Sequence, residues 1–237
     1  MMNTATQIKS LLNQLSLESS PSKAVFFKTG VGDYAEHDQF IGVSVPDLRK
    51  VARQFSALSL TELQLLLDSP INEERLLALL ILVSQYQKSS AEEKGQFYHF
   101  YMGNLKHVNN WNLVDASAHL IVGDYLHSNI NKDILLILAK SDNLWERRIA
   151  IVATWHFIRQ GSYHWTLKIA EILLKDSHDL IHKAVGWMLR ETGKKDLKVL
   201  KDFLDQRAAF MPRTMLRYAL EKLPTDERNV YLKQGKV

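Results

Sequence analysis

A recurring helical unit is the sequence feature that most constrains how this chain can fold. Four segments align when Arg75, Asn112, Arg147 and Lys183 are placed in one column, with offsets of 37, 35 and 36 residues. Their apolar residues recur at intervals of three and four, which is the spacing of one face of an α-helix. A period of this size holds two helices, and a helix pair buries its apolar face only by stacking on neighbouring pairs. The repeat therefore predicts an all-α fold.

The same repeat indicates which kind of helical array to expect. Tetratricopeptide and HEAT-like arrays both have periods near this one, but the chain lacks the tetratricopeptide pattern W-x₂-L-G-x₂-Y. The sequence thus favours an α-solenoid of degenerate HEAT-like repeats, forming a single domain over residues 1–237. The curved inner face of such an array is a natural groove for an extended ligand.

The distribution of charge bears on the kind of partner. The chain carries a formal net charge of +4, and it has no cysteine, which excludes disulfides and thiolate chemistry. Residues 1–120 hold 10 Lys and Arg against 12 Asp and Glu, whereas residues 121–237 hold 20 against 14. A basic half favours a polyanionic partner. A chance imbalance on solvated helix surfaces is the alternative, and charge alone leaves it open.

The sequence shows neither a targeting signal nor a membrane-spanning segment. The N-terminus lacks a basic segment followed by an apolar core and a cleavage site. The most apolar run, residues 76–83, is far too short to cross a bilayer. We therefore expect a soluble, cytoplasmic protein with no membrane partner.

One position of the repeat carries an unexpected residue. The column that holds Ala78, Ala150 and Gly186 in three repeats holds Asp115 in the fourth. A carboxylate at a crowded helix contact costs desolvation energy unless it is paired or functional. Trp111 lies four residues earlier, on the same helix face. The alternative is a structural ion pair beside a packing tryptophan, and the spacing does not decide between the two.

Aromatic and basic residues interleave in the later repeats. One helix begins with Trp145-Glu146-Arg147-Arg148, and another carries Lys183, Trp187 and Arg190 on one stripe. Arg213 and Arg217 form a further pair after Pro212. Rings that contact sugar or base and cations that hold phosphates suit a nucleic acid. The alternative places Trp145, Trp155 and Trp187 in the core with the arginines reaching solvent, and we expect this of Trp155 in particular.

Other motifs give no support for a different chemistry. His178 and His182 are four residues apart, but HDLIH lacks the glutamate of H-E-x-x-H and has no evident third ligand. Gly30-Val31-Gly32 has no strand before it and no Gly-Lys-Ser/Thr after it, so a phosphate-binding loop is not expected. The sequence predicts neither a metal nor an organic cofactor.

These residues together carry a family resemblance. The segments FIGVSVPDLRKVAR (residues 40–53), WNLVD (111–115), WERR (145–148) and KAVGWMLRE (183–191) resemble the DNA alkylation repair glycosylases of the AlkD-like type. WNLVD and KAVGWMLRE at this separation are fairly specific as a pair. The resemblance implies HEAT-like repeats that wrap double-stranded DNA and remove N3- or N7-alkylated purines.

The resemblance also implies site residues. Asp115, Trp111 and Trp187 match the residues that line the lesion site. Arg148, by its W-x-x-R spacing, matches the arginine that contacts the DNA backbone. Asn110 and Asn112 depart from the family pattern, which resembles W-W-D-x-V-D. The lesion is expected to be recognised within the duplex and not flipped into a pocket.

The functional hypothesis is a monomeric, monofunctional DNA-3-methyladenine/7-methylguanine glycosylase. A cationic alkylpurine leaves readily, and a carboxylate suits the positive charge that then spreads over the sugar. Arg148, Arg190, Lys183 and Arg213 are the expected phosphate contacts. The alternative is a non-catalytic HEAT-repeat protein that binds DNA or acts as a protein-interaction scaffold.

Overall fold

The computed structural model describes residues 4–17 and 27–234, and within these ranges the chain is all-α, as predicted. The only β-type contact in the described ranges is an isolated parallel bridge between Gln39 and Ile71. The α-helices are α1 (Ala5–Leu17), α2 (Val45–Gln54), α3 (Leu60–Leu67), α4 (Asn72–Lys88), α5 (Lys94–Gly103), α6 (Trp111–Ala118), α7 (Asp124–Ser128), α8 (Ile134–Ala139), α9 (Leu144–Arg159), α10 (His164–Ile172), α11 (Asp179–Lys195), α12 (Leu197–Arg207), α13 (Arg213–Ala219) and α14 (Thr225–Gln234). A π-helical turn (His119–Gly123) follows α6 directly, and short 3₁₀ turns cover Leu105–His107, Leu173–Lys175 and Ala208–Phe210.

Local sequence signals explain where many helices begin. The side chains of Ser44, Ser59 and Asn143 accept hydrogen bonds from the first-turn amides of α2, α3 and α9. These short polar side chains satisfy amides that have no partner inside the helix. Pro46 follows in the first turn of α2, where its missing N–H costs nothing. The starts of these three helices are thus set by neighbours in the sequence.

The chain divides into two compact units, Met1–Ser117 and Ala118–Val237. In the first unit α2 and α3 pack on α4, and fully buried side chains such as Ile8, Leu63 and Leu77 form the core. In the second unit α9, α11 and α13 pack in succession around Ile149 and Met188. Stacking of all repeats into one solenoid domain stays a prediction.

The small residues of the repeat column lie at close helix contacts. Ala78, Ala150 and Gly186 are all buried. A Cβ atom at Gly186 would lie 2.4 Å from the carbonyl oxygen of Met215 on α13. Only a residue without a side chain allows α11 and α13 to approach this closely. Asp115, in the same column, is half-buried.

The helices of the described residues fall short of the dimensions of a membrane span. Within residues 4–17 and 27–234, none is both long enough and apolar enough to cross a bilayer.

Candidate functional site

Trp111 and Asp115 lie together in the wall of a cavity in the first unit. They are one turn apart on α6, and both are half-buried. The cavity has a volume of about 400 Å³, within the range of roughly 300–1,000 Å³ typical of small-molecule sites. Its walls come from α2, α4, α6 and the segment before α2, and are formed by Phe27, Phe40, Val43, Val45, Leu48, Arg49, Asn72, Glu73, Leu76, Leu80, Trp111, Asn112, Asp115 and Ala116. A carboxylate and an indole are thus set in a mostly apolar hollow.

Stacked aromatic rings form one side of this cavity. The ring centroids of Phe27 and Phe40 are 4.4 Å apart with an interplanar angle of 25°. The Phe27 and Trp111 centroids are 5.1 Å apart with an angle of 18°. Offset stacking at such distances fixes ring orientation as well as burying apolar area. The Trp111 indole is therefore held by a ring from the segment before α2, which the sequence did not indicate.

Glu73 is a second carboxylate in the cavity wall, and sequence reasoning missed it. Only 6% of the residue is exposed. Its carboxylate accepts hydrogen bonds from the amides of Ile41, at 3.2 Å, and Gly42, at 2.8 Å. Burial raises the pKa of Glu73, and the negative charge of Asp38 adds to the effect. Glu73 therefore anchors the segment that carries Phe40, next to the aromatic side of the cavity.

Arg49 is the cationic residue of the cavity wall, and it too was missed. Its side chain is exposed on α2, and it makes no hydrogen bond or ion pair with any described residue. An exposed guanidinium without an internal partner is available for an anionic ligand. The clue in the sequence was its place in FIGVSVPDLRKVAR, but no spacing singled it out from Arg53.

Trp187, in the second unit, belongs to a cluster of rings. The Trp187 and Trp155 centroids are 5.0 Å apart in an edge-to-face arrangement, and Trp155 lies 4.4 Å from the His119 ring. His119 begins the π-helical turn, a type of irregularity that is frequent at functional sites. Trp155 is half-buried, so its expected place in the core is wrong. Its ring instead lies between His119 and Trp187. Trp145 is 7% exposed and does belong to the core.

The four expected phosphate contacts all have partners inside the chain. Arg148 is 5% exposed, and its Nη1 donates to the Leu180 carbonyl at 2.6 Å. Arg190 pairs with Glu221 and Glu191, Lys183 lies 2.7 Å from Asp179, and Arg213 donates to the Leu232 carbonyl. A phosphate at any of these positions has to compete with an internal acceptor. Arg217, beside Arg213, is exposed and has no polar partner among residues 4–17 and 27–234.

The histidine pair at positions 178 and 182 serves the start of α11. The Nδ1 atom of His178 accepts a hydrogen bond from the Leu180 amide at 3.1 Å, and the His182 ring contacts the Asp176 carbonyl. Burial lowers the pKa of His178, although the charge of Asp176 partly opposes this shift. His178 thus caps α11, and His182 joins the helix to the segment before it. No group of three or more potential metal ligands occurs in the described part of the chain.

Two comparisons with known proteins, one of sequence and one of structure, both point to DNA alkylation repair enzymes. Residues 10–223 match the family model described as DNA alkylation repair enzyme. A solved structure of a predicted DNA alkylation repair enzyme from Enterococcus faecalis has a TM-score of 0.65 to this chain at 19% identity, covering 87% of this chain and 97% of that one. At this identity the likeness concerns the fold. Among curated proteins, none matches the sequence.

Proposed function

The chain belongs to the DNA alkylation repair enzyme family, and from this premise we propose that it is a monomeric DNA glycosylase. A role in DNA repair follows from the family. The proposed reaction is hydrolysis of the N-glycosidic bond of purines alkylated at N3 or N7 in duplex DNA. The observation that carries the proposal is the pairing of Trp111 and Asp115 in one apolar cavity wall.

The chemistry needs little more than a well-placed carboxylate. An N3- or N7-alkylated purine is cationic, so it leaves as a neutral base without prior protonation. The bond from its nitrogen to C1′ breaks, and positive charge spreads over the sugar. In the proposed reaction Asp115 stabilises that charge, orients the water whose oxygen bonds to C1′, and accepts the proton that this water loses. The apolar walls beside Asp115 strengthen this attraction, because apolar side chains lower the local dielectric constant.

The tryptophans supply electron-rich surfaces for the cationic nucleotide. An indole face attracts a cation by about 0.5–2 kcal/mol, depending on desolvation. In the proposed site Trp111 and Trp187 contact the lesioned nucleotide, and the lesion stays within the duplex. Phe27 stacks on Trp111, and Trp155 contacts Trp187 edge to face. These contacts hold the two indoles, which supports a role that requires fixed orientation.

Phosphate binding on this proposal combines two kinds of cation. Arg148, Arg190, Lys183 and Arg213 would exchange an internal acceptor for a phosphate, at a cost that lowers the net gain. Arg49 and Arg217 have no described partner to release. DNA affinity should therefore fall steeply with salt, because each phosphate contact releases counterions. A protein-interaction scaffold would show no such affinity.

The deciding experiment is chromatography of bases released from methylated duplex DNA. We expect wild type to release 3-methyladenine or 7-methylguanine, and Asp115→Asn to do so about 10²–10³-fold more slowly, as for loss of one electrostatic stabiliser. Asp226→Asn, an exposed change in the first turn of α14, is the matched control and should retain full activity. Release at the wild-type rate by Asp115→Asn, or none by wild type, refutes the proposal.

A further inference from the structure

A buried polar network lies behind the first turn of α6, the helix that carries Trp111 and Asp115. Its centre is Asp38, whose side chain has 0% exposure. The Asp38 carboxylate accepts hydrogen bonds from the Arg75 guanidinium, from Asn72 Nδ2 at 2.8 Å and from Asn110 Nδ2 at 2.6 Å. The Nε2 atom of His37 lies 3.2 Å away. A buried carboxylate with this many donors has a fixed orientation.

Asn110 connects Asp38 to the start of α6. Its Nδ2 donates to Asp38, and its Oδ1 accepts from the Trp111 amide at 2.7 Å. The Asn110 backbone carbonyl also accepts from the amides of Leu113 and Val114, both at 3.1 Å. The residue is completely buried. Both ends of its side-chain amide are therefore used, and the first turn of α6 is tied to Asp38.

A second connection joins α6 to α4. Asn112 Nδ2 donates to Asn72 Oδ1 at 2.7 Å, and Asn72 Nδ2 lies 3.4 Å from Asn112 Oδ1. Because Asn72 Nδ2 also donates to Asp38, the direction of the Asn72 amide is set by Asp38. The hydrogen bond to Asn72 in turn sets the direction of the Asn112 amide. Asn72 and Asn112 both line the cavity beside Trp111.

Asn110 and Asn112, which depart from the family pattern, each supply both a donor and an acceptor to this network. An indole at position 110 has one N–H donor and no acceptor, so it cannot both donate to Asp38 and accept from the Trp111 amide. A carboxylate at position 112 offers no donor to Asn72 Oδ1. Asn72 Oδ1 would lose its donor, and the single N–H₂ group of Asn72 would face a second carboxylate besides Asp38. Asparagine at both positions avoids these conflicts.

We infer that Asp38 and Asn72 are positioning residues, which act through Asn110 and Asn112 to set the orientation of the Trp111–Asp115 face of α6. This inference rests on the proposed glycosylase function for its kinetic consequences. An error of about 1 Å in placing a catalytic group can cost about 10²-fold in rate. Loss of the network should therefore lower kcat, while DNA binding through cations outside the network is retained.

The test uses Asp38→Asn in the full-length chain. Whichever way the new amide turns, its N–H₂ group faces donors, either Asn72 and Asn110 or Arg75. We expect kcat for base release to fall by about 10–100-fold, with KM for DNA changed by less than about threefold. The control is Tyr101→Phe, which removes another buried hydrogen bond to α6, the 3.0 Å contact between the Tyr101 hydroxyl and Ser117 Oγ. This control should lower stability and leave kcat unchanged.

A double-mutant cycle keeps the inference testable if Asp38→Asn fails to fold. Asn72→Ala and Asn112→Ala should each lower kcat, and the double variant should lose little more than either single variant, because the two side chains act as one unit. Independent, multiplicative losses in kcat would overturn the inference. So would wild-type kcat in a folded Asp38→Asn variant.

Fluorescence separates this inference from the glycosylase proposal. The Trp111 emission is obtained by subtracting the spectrum of Trp111→Phe, in the wild-type and in the Asp38→Asn background. Trp111 stacks on Phe27, so we expect the Trp111 emission maximum to shift to longer wavelength in Asp38→Asn. The same subtraction in the Tyr101→Phe background should show no shift. If wild type releases no base, the proposed function fails, and the emission still decides whether Asp38 positions α6. An unshifted spectrum overturns the inference.

Discussion

Replacing Gly186 by alanine sets two opposing effects against each other. Gly186 lies inside α11, where glycine costs a helix about 1 kcal/mol relative to alanine. On propensity alone, Gly186→Ala should stabilise the fold. The added Cβ, however, would lie 2.4 Å from the Met215 carbonyl oxygen and 2.5 Å from Tyr218 Cβ. Both atoms belong to α13, and the oxygen is part of the backbone.

The steric cost of the added Cβ should exceed the gain in helix propensity. An ordinary contact begins near 3.4 Å, so α11 and α13 must separate by about 1 Å to accept the methyl group. Overpacking of this kind costs about 1–3 kcal/mol, and the upper part of that range applies because a helix backbone must move. After the gain in propensity, the net loss is about 1–2 kcal/mol. For a chain of this length each 1 kcal/mol lowers Tm by about 2–4 °C.

Thermal and urea denaturation measure this balance, and Gly103→Ala is the matched control. Gly103 ends α5, and a Cβ there would meet nothing within 4 Å. We expect Gly103→Ala to hold or raise Tm, whereas Gly186→Ala lowers it by about 5 °C. The displaced α11 should also weaken the near-ultraviolet circular dichroism from the Trp155–Trp187 contact. A Tm equal to wild type in Gly186→Ala would refute the argument.

Three further predictions concern single side chains. Because burial raises the pKa of Glu73 above its ordinary 4.5, wild type should lose stability as pH rises from 4.5 through the raised value, and Glu73→Gln should not. The test is the free energy of unfolding in urea, measured for both proteins from pH 4 to 7. The same dependence on pH in both would contradict this prediction. Because burial lowers the pKa of His178 and its Nδ1 accepts from the Leu180 amide, wild type should lose stability as pH falls from 6.5 through the lowered value. His178→Asn should keep this cap and show a flatter stability profile; a profile as steep as wild type would count against it. Ser44→Ala should cost about 1 kcal/mol in denaturation, since Ser44 Oγ accepts from an amide of α2; an unchanged midpoint would be the contrary result.

Much of the fold followed from short-range rules. Intervals of three and four between apolar residues predict helices, and Ser44, Ser59 and Asn143 cap helices through amides two or three residues away. The small-residue column predicted close helix contacts, and Gly186 lies at one. Trp155 was the failure of this reasoning. Its apolar neighbours suggested the core, whereas contacts with His119 and Trp187 leave it half-buried.

Only part of the candidate site could be predicted from short-range sequence patterns. Trp111 and Asp115 are four residues apart, so helix geometry alone places them on one face. Glu73 was missed because its partners are the amides of Ile41 and Gly42, which no local pattern connects to α4. Arg49 was missed because its lack of a polar partner among residues 4–17 and 27–234 depends on where every nearby carboxylate lies.

The sequence by itself determined that this chain is helical, that its repeat favours small residues at close contacts, and that one carboxylate breaks the rule beside a tryptophan. These are consequences of helix geometry, which acts over three or four residues. Only the tertiary structure decided what holds that carboxylate's helix in place. Asp38 and Asn110 are 72 residues apart, and Arg148 and Leu180 are 32 apart. Such partners are chosen by the packing of distant segments, because a buried polar group must find its donor or acceptor wherever the fold brings one.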